Sequence, residues 1–475
     1  MDFEDQFGNV YKRGARLGEG GQGAAYRVEG EPSLALKVAV QPGTDEPVRA
    51  QTSRRIRGLL LLPLPVDLPL AKPIAVLTGV NGYVMKLVSG LEPIETVIHS
   101  RVPESKPIKP SLEALKHEFP KDVWEWFHSY GEAMPTKQRL LVAASLAATV
   151  ARLHSLGLHY SDISPGNCFV PESRGDFRAW LIDCDNIALD GTDHTIYTPG
   201  YGAPEVAVLN RPNNTSADIF SLTVLAYQII TTKHPYSGPA RTEGRANWDS
   251  DDAGLATDEG ESKWQMSMLP YVHSSEDESN REPDILLPAF GAELENVFQE
   301  TLGVGREEPH RRVSAALLAR ALLRSGFLCC TCDNCGFGLH AENVMEGGGC
   351  AFCNEPLGIR WGVWRAGHAG GHEELVFVSE PNPTSFEIPI SAVTPPRLRA
   401  LFNGWIRITH DAPAGRVRIE AVSLSEQIRV NIGTRTTEPS AVVEVDIAIL
   451  RRGIEITDSN TPSISARLRA WGNNG

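Results

Sequence analysis

No run of this 475-residue chain is both apolar enough and long enough to cross a bilayer. The greasiest stretch, Leu59 to Ala71, is broken by Pro63, Pro65 and Pro69. The N-terminus, MDFEDQFGNV, is acidic and lacks the apolar core of a secretory signal. These absences lead us to expect a cytoplasmic protein with no membrane partner. A basic stripe is missing as well. Net charge is −14, and the region after Glu355 holds Arg and acidic residues in near balance with no Lys, so the acid excess lies upstream. A binder of phosphate backbones carries a basic patch, so nucleic acid is a poor partner. Cysteine is scarce outside one segment: six of the eight fall between 329 and 353. In a chain without a leader, such clustering points to metal before disulfides.

What remains is ordinary for a folded protein, with 41% hydrophobic and 22% charged residues. Residues 11–40 alternate between extended and Gly-rich segments. Residues 46–60 read as helix, and 74–88 as two short strands around Asn81-Gly82, a hairpin signal. Helical patterns follow in a short stretch holding Trp124, Trp126 and Phe127, then over 136–156, 215–232 and 291–324. Residues 168–187 read as short strands. Between the last two helical regions, 239–284 hold 12 acidic and 4 basic residues, the composition of a solvated insertion. Beyond 360 the apolar period changes to two, in WIRI, VRIEAV, IRVNI, VVEVDIAIL and GIEI.

Three groups of residues carry chemistry. The first is LGEGGQGAAY, in which Gly18, Gly20 and Gly23 form G-x-G-x-x-G. Without Cβ atoms, such a loop lets backbone N–H groups approach phosphates. The motif also marks dinucleotide sites and plain turns. Here β-like segments follow it, and LALKVAV brings Lys37 fourteen residues after Gly23. The second group is HYSDISPGN with LIDCDN. Asp162, Asn167 and Asp183 supply the carboxylates and amide oxygen that phosphoryl transfer needs near a hydroxyl and Mg²⁺. The third is CDNC and CAFC, a C-x2-C-x14-C-x2-C spacing that sets Cys332, Cys335, Cys350 and Cys353 around one tetrahedral Zn²⁺. So short a segment buries no core of its own, so metal would supply its folding energy. A thioredoxin-like redox pair lacks the βαβ context it requires. Cys329 and Cys330 leave the register ambiguous, while Cys168 and Cys184 read as small core residues.

In order and spacing, these elements over 11–324 resemble the eukaryotic-like Ser/Thr protein kinases of bacteria. S-D-I-S-P-G-N and I-D-C-D-N are similar to a branch associated with tellurite-resistance-type phosphorylation triads. Those triads pair a kinase with a von Willebrand A protein and a PP2C-type phosphatase. The resemblance implies a bilobal, α+β kinase-like fold with its N-lobe at 1–88 and its C-lobe at 89–325, the acidic insertion included. A zinc ribbon at 329–356 and an all-β, sandwich-like tail at 360–475 complete a multidomain chain. It implies ATP and Mg²⁺ (or Mn²⁺) as cofactors. Gly18, Gly20 and Gly23 would cover the phosphates and Lys37 would orient them, while Asn167 and Asp183 hold metal and Asp162 orients the attacking hydroxyl. Ala203-Pro204-Glu205 matches A-P-E, Thr198 stands where a threonine faces the Asp, and Asp218 stands where an Asp pins the catalytic loop through backbone N–H groups. Arg312 is placed to pair with Glu205, a structural role.

Three departures bear on activity. Tyr160 and Ser161 replace His and Arg, so a phosphorylated activation loop has no Arg to clamp it. Ser164 replaces the catalytic-loop Lys. The helix over 46–60 holds only Glu46, so Lys37 is gripped by Gln51, by Glu46 after a shift, or by nothing. Asp185 at the D-F-G glycine position is usual in that branch. The sequence thus expects a protein kinase acting on Ser/Thr of itself or a partner, with a nucleotide-binding pseudokinase scaffold as the alternative. The tail reads as a docking or oligomerisation module.

Overall fold

The structure is a computed structural model that describes residues 1–20, 23–38, 54, 56–62, 64–99, 108–113, 115–117, 121–173, 176–191, 195–236, 289–344, 349–357, 360–365, 373–380, 383–389, 392, 405–411, 415–422, 428–432, 435–437, 440, 442–446, 453–458 and 465–471. Glu46, Gln51 and the acidic insertion at 239–284 lie outside these, as does most of the helix expected over 46–60, of which 54 and 56–60 are helical. Among the described residues, no helix is long and apolar enough to cross a membrane.

Contacts divide the chain into two compact units that interleave along the sequence. One joins Met1–Ser100, Leu141–Pro283 and Asn296–Arg320; the other joins Arg101–Leu140, Asp284–Glu295 and Ala321–Gly475. Residues 101–140, read from sequence as C-lobe, therefore group with the cysteine-rich and C-terminal segments.

The first unit opens with a six-stranded antiparallel sheet. Its strands are β1 (Asp2–Glu4), β2 (Val10–Gly20), β3 (Gly23–Val28), β4 (Glu31–Val38), β5 (Pro73–Val76) and β6 (Gly82–Lys86), in the order β1-β2-β3-β4-β6-β5. Alternation fixes what β4 presents. Leu36 sits opposite Val84 and joins Phe3, Val28, Ala75 and Leu77 in one apolar cluster. The next residue, Lys37, therefore turns to the other face, where its cross-strand partner is Tyr83. Gly82 is needed for a close approach here: a Cβ on it would overlap the carbonyl oxygen of Lys37.

Deeper in the unit, the helix Thr215–Thr231 is buried all along from Ala217. A helix apolar on every side is an interior helix. Asn214 caps it by accepting the Ala217 N–H at 2.9 Å, and Thr232 ends it in a left-handed conformation, φ 61°. Within this unit, the helix Thr136–His154 buries Ala143, Ala147 and Val150 at helical spacing. Beyond its end, short strands bracket the loop that carries Asp162: Leu158–His159 pairs with Ala188–Leu189, and Cys168–Pro171 with Trp180–Leu181.

In the second unit, strands Cys329–Thr331 and Gly338–His340 form a hairpin with the first cysteine knuckle at its turn. After Arg360 two antiparallel sheets follow, of six and four strands. One apolar cluster serves both sheets, with Val363, Phe377 and Leu468 from one and Ile388, Ile408, Ile419 and Val443 from the other. Period-two alternation builds it. Ile406 and Ile408 point inward while Arg407 points outward, where it meets Glu387 at 2.8 Å. Each such inward side chain contributes roughly 1.5–3 kcal/mol of burial.

Candidate active site and cysteine cluster

The loop from His159 to Asn167 is held mainly by one buried carboxylate. Asp218, in the first turn of the helix Thr215–Thr231, accepts the backbone N–H of Tyr160 at 2.6 Å and of Ser161 at 2.8 Å. His154 Nε2 lies 3.1 Å from the same group. These bonds fix a backbone that Ser161 enters in the left-handed region, φ 75°. The Ser161 hydroxyl donates to the Asn186 carbonyl at 3.1 Å and receives His159 Nδ1 at 2.8 Å. Burial pushes the His159 imidazole below its usual range, which keeps it neutral. Tyr160 is fully buried, and its hydroxyl donates to the carbonyl of Ile182, the residue before Asp183. Burial also drives that phenol well above its ordinary value, so it stays a donor. Tyr160 thus ties the Asp162 loop to the Asp183 segment.

Asp162 emerges half-buried from this brace. Thr198 Oγ1 donates to its Oδ1 at 2.6 Å, and Asn167 Nδ2 donates to its Oδ2 and its carbonyl, both at 2.9 Å. Both carboxylate oxygens are therefore oriented. With Nδ2 so engaged, Oδ1 is the Asn167 atom left to meet a cation. Asp183 follows the strand Trp180–Leu181 and is left-handed, φ 62°. Its Oδ1 pairs with Lys37 Nζ. Asp185 Oδ1 lies 3.3 Å from the same amine. Gly18 and Gly20 end β2 and Gly23 begins β3, with Gly20 opposite Gly23 across the turn. Lys37, Asp162, Asn167 and Asp183 thus share one unit with the glycine turn. Tyr83 and Asp185 escaped the sequence reading as partners of Lys37. The strand register and the turn after Asp183 bring them there; Tyr83 has no motif of its own, and Asp185 was read only as the residue at the D-F-G glycine position.

Away from this site, Glu205 and Arg312 form a two-point buried pair at 2.6 and 2.8 Å.

In the second unit, the four sulfurs of Cys332, Cys335, Cys350 and Cys353 lie within 4.8 Å of one another. Two of their separations, 3.7 Å and 3.6 Å, are far beyond a disulfide bond and near the roughly 3.8 Å edge of a tetrahedron of Zn–S bonds. Hydrogen bonds among these thiols lower Cys332, to about 7, and Cys353, while they raise Cys335 and Cys350. Thiols this crowded can all ionise together only around a cation, so the donor set fits zinc. Gly336, φ 78°, turns the chain after the second ligand. Cys329 and Cys330 lie in the adjoining strand outside the cluster, and burial pushes both thiols up to about 12. The knuckle rests on the helix Lys121–Ala133. Phe337 stacks on Tyr130 at 4.4 Å and on Phe127 at 4.6 Å, and Lys109 Nζ reaches the carbonyls of Asp333 and Asn334 at 2.8 and 2.7 Å.

Comparison with known proteins now adds to the geometry. Residues 114–281 match the protein kinase domain. The serine/threonine-protein kinase PkaA of Streptomyces coelicolor is 27% identical over 128 residues, which are 26% of this chain and 23% of that protein. The serine/threonine-protein kinase pkn2 of Myxococcus xanthus is 30% identical over 115 residues, 22% of this chain and 14% of its own. The chain thus spans less than a quarter of either relative. A crystal structure of the M. tuberculosis PknI kinase domain aligns with 68% of this chain and 97% of its own, at 17% identity and a TM-score of 0.39, too loose to argue from. The similarities mark a protein kinase domain at residues 114–281 of the chain.

Proposed function

We propose that the chain is an ATP- and Mg²⁺-dependent serine/threonine protein kinase that phosphorylates itself or a partner protein. The observation that carries this is Asp162, whose two carboxylate oxygens are held by Thr198 and Asn167 beside a pinned loop. A carboxylate so fixed orients an incoming hydroxyl and receives its proton as the new O–P bond forms and the bond from the γ-phosphorus to the departing ADP breaks. Lys37 meets the nucleotide phosphates, and the turn from Gly18 to Gly23 covers them. Asp183 and Asn167 Oδ1 would hold Mg²⁺, which supplies charge neutralisation for the phosphates. Tyr160 keeps the two halves of the site in register, the bracing duty that the absent His would have had. Ser161 offers no cation to a phosphorylated loop, so activation does not run through such a clamp.

The resemblance to the tellurite-type branch points to a bacterial signalling or stress system, with a von Willebrand A protein and a PP2C-type phosphatase as neighbours. A structural Zn²⁺ on the four cysteines, an N-lobe at 1–88, a C-lobe at 89–325, a ribbon at 329–356 and a sandwich at 360–475 complete the reading. The test is phosphotransfer from labelled ATP with Mg²⁺ or Mn²⁺. Wild type should label itself or a partner, and Asp162→Asn should not. Equal labelling by both would refute catalysis at this site. ATP-dependent thermal stabilisation without turnover would instead favour the pseudokinase scaffold.

A further inference from the structure

The sequence leaves the anchor of Lys37 open, because the segment 46–60 offers Glu46 as its one carboxylate. The structure gathers acid on the other side of the amine. Lys37 Nζ pairs with Asp183 Oδ1 and stands 3.3 Å from Asp185 Oδ1. Tyr83 Oη lies 3.4 Å from both of those oxygens, and the Tyr83 ring centroid is 5.8 Å from the ammonium. The Asp185 side chain is 7% exposed against 19% for Asp183.

Two local features bring these groups together. Lys37 and Tyr83 face each other directly across β4 and β6, so they share a sheet face. Asp183 is left-handed and is followed by a single turn of 3₁₀ helix, Cys184–Asn186. That bend folds the chain so that carboxylates two residues apart reach one amine.

The two acids differ in what they are free to do. A divalent cation on the Asp183 carboxylate would repel the ammonium beside it, so Asp183 would hold Lys37 less well once it held metal. Asp185 is deeper, where less solvent screens its attraction for the ammonium. The Tyr83 hydroxyl has one proton and serves one carboxylate at a time. When Asp183 turns to metal, that proton falls to Asp185. We propose that Asp185, assisted by Tyr83, is the anchor that holds Lys37 at the phosphate site, the duty that a helix glutamate performs in the kinase pattern. The proposal rests on the kinase reading. Asp185 is a positioning residue: it touches Lys37, and Lys37 meets the phosphates.

The experiment uses the full chain, a fluorescent ATP analogue with Mg²⁺, and mass-spectrometric labelling of lysine amines by acetic anhydride in the nucleotide-free protein. In Asp185→Asn, affinity for the Mg²⁺-bound analogue should fall roughly ten- to a hundredfold, the worth of a charge-assisted bond. The half-saturating Mg²⁺ concentration should not move. Lys37 labelling should rise relative to the other lysines. Tyr83→Phe should move both readouts less in the same direction, and Asp185→Glu should restore part of each. Tyr83→Phe and Asp185→Glu carry the test if Asp185→Asn does not fold. Affinity and Lys37 labelling that both stay within about twofold of wild type would overturn the anchor. So would a change in Mg²⁺ requirement alone, which would make Asp185 a metal ligand. Failure of wild type to bind the analogue would count against the kinase reading, and Lys37 labelling would then decide the pairing by itself.

Discussion

Gly131 and Cys335 meet backbone against backbone: a Cβ on Gly131 would overlap the Cys335 carbonyl oxygen, and one on Gly336 would stand 2.8 Å from Gly131 Cα. The first knuckle is thus seated on the helix Lys121–Ala133 at a distance only glycine allows. Gly131→Ala should therefore destabilise the chain by about 1–3 kcal/mol through overpacking, although alanine is the better helix former. Thermal unfolding reads the loss. A Tm equal to or above wild type would show that the contact is not made.

The cluster of Cys332, Cys335, Cys350 and Cys353 predicts one zinc per chain. Cys350→Ser should lose the metal, and a strong chelator should remove it from wild type. Removal should also change the fluorescence of Trp126, whose ring lies 5.7 Å from that of Phe337 beside the knuckle. Binding requires thiolates, so zinc retention should weaken as pH falls and thiols are protonated. Metal analysis with a fluorescence titration checks these outcomes. A protein free of zinc, or a Trp126 signal blind to the chelator, would contradict the prediction.

The sequence made some of this legible and concealed the rest for physical reasons. Asp162, Asn167 and Asp183 could be named as candidates because the proposed chemistry demands fixed residue types at short spacing, and the structure brings the three into one unit. Asp218 and the Glu205–Arg312 pair were readable through resemblance, and the structure gives each contact in angstroms. Tyr83 was not, since its place beside Lys37 depends on strand register, which pairs residues 46 positions apart. Asp185 was read only as a replacement for glycine, because its reach depends on the left-handed turn at Asp183. The seat of the first cysteine knuckle was hidden too, because Phe337 meets Phe127 and Tyr130 across some two hundred residues of chain. One signal was present and unused: Gly131 is a glycine inside a helix, which calls for a packing reason. The strands of the tail were plain, because period-two alternation marks a strand with one buried face.

Arg312 illustrates a buried charge that must not lose its partner. Its guanidinium meets Glu205 twice, reaches the carbonyls of Gly305 and Ser216 at 2.7 and 3.0 Å, and lies over the Phe220 ring. Removing one member leaves the other charged and dry. Glu205→Ala and Arg312→Ala should each cost about 3–5 kcal/mol. The double variant should lose less than the sum of the two, because no unpaired charge remains. Denaturant unfolding of the four proteins gives the cycle, and additive losses would show that the pair is not coupled.

Tyr160 offers the sharpest separation of bracing from binding. Its hydroxyl joins the Asp162 loop to the Ile182 carbonyl, one residue before Asp183, and its ring is fully enclosed. Tyr160→Phe keeps the ring and deletes the bond, leaving a buried carbonyl without that donor. Stability should fall by roughly 1–3 kcal/mol. On the proposed reading nucleotide binding rests on Lys37 and the glycine turn and should hardly change, whereas phosphotransfer should drop as Asp162 and Asp183 lose their common tie. Calorimetry with Mg²⁺ and ATP, run beside a turnover assay, separates the two. Tyr160→His, which puts back the residue type of the kinase pattern with a shorter reach, should recover less than wild-type turnover, because the Ile182 carbonyl is positioned for the longer phenol. Full activity in Tyr160→Phe would mean that Asp218 and Asn167 hold the loop without it.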